Sequence, residues 1–105
     1  MPYISYAPET HEDFARFKNF LQEVAPEKIS EATDAIFEGL EILEHTPFAG
    51  EPHPLENAPE MRKLVIPYGQ SGYVALYIFN KEQDLVTVHA LKHQKELNFL
   101  SRVRF

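Results

Sequence analysis

The groups that could do chemistry in this 105-residue chain are five histidines, ten lysines and arginines, and a few hydroxyls, since cysteine is absent. Without thiols there is no disulfide framework, no thiolate nucleophile and no thiolate metal site. The densest cationic pairs are Arg62-Lys63 and Lys92-His93, and they bracket the most apolar part of the sequence. A histidine titrates near neutrality, so His93 at a strand end beside Lys92, together with Arg62, is a candidate proton carrier for acid-base catalysis. The plainer reading is that His93 closes a strand end and hydrogen-bonds a neighbour. Ser71 in Gln70-Ser71-Gly72 lacks the flanking pattern of a nucleophile elbow and reads as a turn residue. Gly69 and Gly72 precede a strand rather than a helix, which removes a phosphate-binding loop. His45 and His53 lie in a proline-rich stretch without cysteine or a close carboxylate geometry, so no metal or other cofactor is expected.

The elements that must position these groups follow from patterning. Arg62 to Pro67, Tyr73 to Phe79 and Asp84 to His93 are rich in β-branched, aromatic and aliphatic residues. They are separated by Tyr68-Gly69-Gln70-Ser71-Gly72 and by a polar Asn80-to-Gln83 connection, which predicts a three-stranded antiparallel meander. Pro67 can close the first strand, and Gly69 and Gly72 supply the φ freedom of the connection. The middle strand is apolar on both faces, with Tyr73, Ala75, Tyr77 and Phe79 on one and Val74, Leu76 and Ile78 on the other. Such a strand is covered twice. One cover must come from the same chain, and the other face is where a partner is expected.

Upstream, Pro2 to Ala7 alternates ahead of Pro8 and predicts a short strand able to join the meander's edge. Thr10 followed by His11-Glu12-Asp13 marks a helix start, with the first helix running from His11 to Val24. Phe14, Phe17, Leu21 and Val24, with Phe20 beside them, form a stripe assigned to the core. Pro26 suits the opening of a second helix, in which Ile29, Ala32, Ile36, Leu40 and Leu43 keep the period through Glu44. The two helices form an antiparallel hairpin. Glu27, Glu31, Asp34, Glu38 and Glu41 make its outer face acidic and solvated. Four prolines and a glycine between His45 and Pro59 exclude helix and interior strand there. After His93, Leu97, Leu100 and Arg104 suit a short terminal helix or tail.

One domain, residues 1–105, is all this length supports, and no run of about 18 apolar residues or basic-then-apolar leader suggests a membrane span or signal peptide. A soluble, cytoplasmic protein is expected. The net charge of −6 is unevenly spread, with 13 acidic and 3 basic residues before position 61 and 3 acidic and 7 basic after it. Seven cations make a thin surface for nucleic acid; such a split is more often a basic patch for an acidic protein partner, or simply a solvated face.

The ordered set of strand, helix hairpin, proline-rich loop, Arg62-Lys63-Leu64-Val65-Ile66-Pro67, Ser71-Gly72-Tyr73-Val74-Ala75-Leu76-Tyr77 and Lys92-His93-Gln94-Lys95-Glu96 resembles the RelE/ParE superfamily of bacterial type II toxins. Gly39-Leu40, Leu43, Pro47, Gly50 and Pro52 match the family's helix end and loop. The resemblance covers nearly the whole chain. It implies an α+β fold, β-α-α-β-β-β with a short C-terminal helix or tail, in which an N-terminal strand and a helix hairpin pack on an antiparallel sheet. It also implies a cytosolic toxin neutralised by a cognate antitoxin, which supplies an acidic, partly disordered segment.

RelE-like members cut mRNA on the ribosome, whereas ParE-like members block DNA gyrase. In the RelE pattern Lys63 matches a catalytic lysine, but Val65 stands at a second lysine position and Val74 at that of an arginine. His93 occupies a later arginine position, and Phe99 falls near a tyrosine. Glu51 replaces a common arginine. The resemblance is therefore nearer ParE, implying a plasmid-stabilising toxin that inhibits gyrase by protein contact, without membrane binding or sequence-specific nucleic-acid binding of its own. The alternatives are a RelE-like endonuclease using Arg62, Lys63 and His93, or a degenerate toxin that only binds its antitoxin. The residues expected at the partner surface are Arg62, Lys63, Tyr73, Tyr77, Lys92, His93, Lys95, Arg102 and Arg104.

Overall fold

The computed structural model describes residues 1–94, apart from the side chain of Ser71. The expected terminal helix, with Lys95, Phe99, Arg102 and Arg104, lies outside the described residues. Strand β1 (Tyr3–Tyr6) leads into helix α1 (Pro8–Val24), a 3-10 turn at Pro26–Lys28, helix α2 (Ile29–Glu41) and a second 3-10 turn at Ile42–Glu44. A two-residue strand β2 (Glu51–Pro52) follows, then β3 (Arg62–Tyr68), β4 (Ser71–Asn80) and β5 (Leu85–His93). The sheet order is β1-β5-β4-β3-β2. β3, β4 and β5 pair antiparallel as the meander requires, and β1 joins β5 in parallel, with Tyr3 opposite Leu85 and Tyr6 opposite Val88.

Turn chemistry fixes the register. Gly69 has φ 63° in the β3–β4 connection, where a side chain would be strained. Gly72 serves differently from the expectation: a Cβ there would stand 2.5 Å from the Ile66 carbonyl oxygen, so it is space that matters. β3 also continues past Pro67 to Tyr68, with Pro67 opposite Gly72. Between β4 and β5, Asp84 takes φ 51° and the Gln83 amide donates to Asn80 Oδ1 at 3.0 Å.

Helix α1 begins three residues earlier than predicted. Pro8 occupies the first turn, Ala7 is the cap residue without a side-chain bond, and buried Thr10 instead donates its hydroxyl to the Ala7 carbonyl at 2.6 Å. The second helix is divided into 3-10, α and 3-10 segments. α1 packs chiefly on β5 and α2 on β3, and the helices meet through Phe14 and Phe37, whose rings stack at 5.4 Å. Phe17, Ile36, Leu40, Leu43, Leu64, Ile66, Tyr73, Ala75, Tyr77, Val86, Val88 and Leu91 form the main core. The stripe assigned to α1 is only partly core: Phe17 is buried and Phe14 half-buried, but Phe20 and Val24 are 60% and 61% exposed. The residues of α1 that face inward are Thr10, Asp13 and Phe17.

The second face of β4 corrects another expectation. Met61 is buried against Val74 and Leu76, and Leu55, Ala58, Ile78 and Ala90 pack around them. The proline-rich segment supplies that cover from within the chain. Its hydrogen bonds, His53 N to Met61 O at 2.9 Å and a Leu55–Ala58 bridge, hold it in place.

Candidate functional site

A groove of about 460 Å³ opens between the C-terminal half of α1 and the β3–β4 hairpin. Phe17, Phe20, Leu21, Tyr68 and Tyr73 make its apolar lining, Arg16 and Lys28 are its cations, and the His93 imidazole stands among them. Gly69 and Gln70 complete it. The His93 ring stands edge-on to Tyr73, with centroids 5.5 Å apart. Burial, followed by the neighbouring Tyr68, raises the Tyr73 hydroxyl above its ordinary pKa; desolvation, followed by Glu31, raises that of Tyr68. Both hydroxyls therefore stay protonated and able to donate at neutral pH.

Of the residues expected at the partner surface, Tyr73 and His93 meet in this groove. Tyr77 does not. It is fully buried, donating its hydroxyl to the Pro47 carbonyl at 2.8 Å and accepting the Gly50 amide at 2.9 Å. Arg62 is taken up by the same loop. Its Nε and Nη2 donate to the Gly50 carbonyl at 3.0 and 2.5 Å, Nη2 also reaches the Phe48 carbonyl at 3.2 Å, and the guanidinium lies 5.1 Å from the Phe48 ring centroid. Lys63 pairs with Glu51 at 3.0 Å, which gives the departure at position 51 a physical role: β2 and β3 place the two residues opposite each other.

Lys92 pairs with Asp13 at 3.0 Å and is 17% exposed. Asp13 is buried, and its carboxylate also accepts the Leu91 amide at 2.9 Å and Arg16 Nη1 at 2.9 Å. β1 pairs β5 only as far as Val88, and beyond it the Leu91 amide on that edge is capped by this side chain from α1.

Sequence reasoning missed Arg16, Lys28, Phe20 and Leu21 as groove residues and Asp13 as a buried charge. A signal was present for the aromatics, because Phe14, Phe17, Phe20, Leu21 and Val24 span more of the helix than one sheet contact can cover. Asp13 carried no signal beyond helix-start composition. Among the described residues no three His, Cys, Asp or Glu side chains are placed to hold a metal ion, and no helix is long and apolar enough to cross a membrane. An apolar floor with a cationic rim suits an acidic, amphipathic protein segment, which would bury its apolar side chains and pair its carboxylates.

The fold resembles those of solved structures. The chromosomal ParDE toxin-antitoxin system from P. aeruginosa matches at 17% identity and TM-score 0.67, over 89% of this chain and 96% of that one. The isolated E. coli RelE toxin matches at 13% identity and TM-score 0.55 over 98% and 99%. The S. aureus YoeB-YefM complex does so at 16% identity and TM-score 0.51 over 88% and 95%. These likenesses establish the RelE/ParE fold. No curated protein sequence matches this chain significantly. The family model for the ParE toxin of the parDE type II toxin-antitoxin system matches residues 4–98, and the chain belongs to that family.

Proposed function

We propose that this toxin acts by occupying DNA gyrase, without cutting nucleic acid, and that a cognate antitoxin silences it in the cytosol by seating an acidic, partly apolar segment on the cationic groove. In this reading it serves plasmid stabilisation. One observation carries it: the cations that a RelE-type nuclease would use on β3 are already committed within the fold. Arg62 binds loop carbonyls and Lys63 pairs with Glu51. Val65 and Val74 stand where further cations would be needed, and Val74 is 1% exposed. Phosphodiester cleavage requires positive charge aimed at the developing oxyanion and a group that moves a proton. Valine supplies neither. The solved ParDE and RelBE complexes are named as toxin-antitoxin assemblies, which supports an antitoxin here.

The second reading, a ribosome-dependent mRNA endonuclease, rests on the gathering of His93, Arg16 and Lys28 along one groove. Purified toxin tested against gyrase supercoiling and against messenger on programmed ribosomes separates the two. Loss of supercoiling with intact messenger is expected, and induced cells should filament with a DNA-damage response. Messenger cleavage abolished by His93→Ala establishes the second reading. Neither effect, with antitoxin binding retained, marks a toxin that only serves its operon.

A further inference from the structure

A second groove, sharing no lining residue with the first, lies between β1 and the end of α2. It measures about 560 Å³ and is lined by Met1, Pro2, Tyr3, Ile4, Tyr6, Phe37, Glu41 and Glu44. Its composition is opposite in sign. The Glu41 and Glu44 carboxylates form no hydrogen bond or ion pair with any described residue, they line the groove together with Tyr6, and the Tyr6 hydroxyl pKa is raised by burial and then by their two charges. The chain amine at Met1 is turned to Asp84, 3.8 Å away.

The groove runs beside a sheet edge that no other described strand pairs. β1 is terminal in the strand order. The Tyr3 and Ala7 amides donate inward to Asp84 and Val88 carbonyls of the β5 side, so strand alternation turns the main-chain groups of Ile4 and Tyr6 outward. The edge lacks the lysines by which natural sheets repel another strand, and Tyr3 and Phe37 remain exposed there. We infer that this edge takes an extended basic segment of a second protein, which pairs its main chain with Ile4 and Tyr6 and lays a lysine or arginine against Phe37 between the Glu41 and Glu44 carboxylates. Charge complementarity selects the occupant. A nucleic-acid backbone would be repelled by the carboxylates, and a groove lined by aromatics and two acids is a setting for a cationic side chain. β1 is only four residues long, so side-chain capture supplies most of the selectivity. The inference stands apart from the gyrase reading and survives its failure.

The test uses the full chain and a dye-labelled peptide alternating arginine and valine, followed by fluorescence anisotropy at about 0.15 M salt, where screening extends over about 8 Å. Binding is expected to weaken about tenfold in the Glu41→Gln/Glu44→Gln variant, the loss of two partly exposed ion pairs. The Glu27→Gln/Asp34→Asn variant, with the same change in net charge on the outer helix face, should bind within about twofold of the parent. A peptide methylated on the amides that face β1 should bind more weakly. Equal loss in both double variants, indifference to amide methylation, or no binding by the parent chain overturns the inference.

Discussion

At the scale of single residues, Asp13 is the side chain on which most depends. It is buried and shared among Lys92, Arg16 and the Leu91 amide. Asp13→Ala leaves an amide unsatisfied and a largely buried ammonium without this partner, so chemical denaturation should show a loss of about 3 kcal/mol. Asp13→Asn, which keeps an acceptor for Leu91, should lose less. Tyr77→Phe removes the hydroxyl that ties Gly50 and Pro47 to β4, and about 1–3 kcal/mol should go with it. Tyrosine titration gives a third check. Burial leads the causes that raise Tyr6 and Tyr73 above the ordinary 10.0, and desolvation leads for Tyr68. A folded-state pKa raised above the unfolded one means that these groups contribute stability below pH 10, lost as pH rises through their folded values. Ultraviolet titration of the phenolates should therefore show late ionisation accompanied by unfolding, and early ionisation of all tyrosines would contradict it.

At the scale of elements, the proline-rich segment is a strap held by two side chains from the meander, Arg62 and Tyr77. Gly50 lies beneath it, where a Cβ would stand 2.6 Å from the Lys63 carbonyl oxygen and 2.8 Å from the Tyr77 ring. Gly50→Ala should loosen the strap, and amide exchange should rise at Gly50 and His53 before it rises at the centre of β4. The meander, the helix pair and the early strand were legible because period and turn residues are local properties of the chain. The roles of Arg62 and Tyr77 were not: both were assigned to a partner surface because a cation and an aromatic read alike from sequence whether they face solvent or reach a loop 12 to 30 residues away. The β-bulge that shifts β4–β5 pairing between Leu76 and Tyr77 left no mark in the hydrophobic alternation of β4. The groove was half legible, through His93 and Tyr73, and its α1 wall was hidden by the assumption that an aromatic stripe is wholly core.

At the scale of the whole molecule, two grooves differ in sign, one carrying Arg16 and Lys28 and the other Glu41 and Glu44, and both cations of the first come from the acidic part of the sequence before position 61. Phe20 is mostly exposed, so Phe20→Ser should alter unfolding free energy by no more than about 0.5 kcal/mol while weakening antitoxin capture severalfold, as calorimetric titration against the antitoxin segment would measure. The plug that Asp13 makes in the β5 edge has a further effect, because the same helix carries Arg16, Phe17, Phe20 and Leu21 into the cationic groove. Anything that grips those turns also braces the plug. The Leu91 proton, remote from solvent and answering to α1, thus becomes a clock for occupancy: its exchange with deuterium should slow when the toxin is muzzled and quicken when it is released.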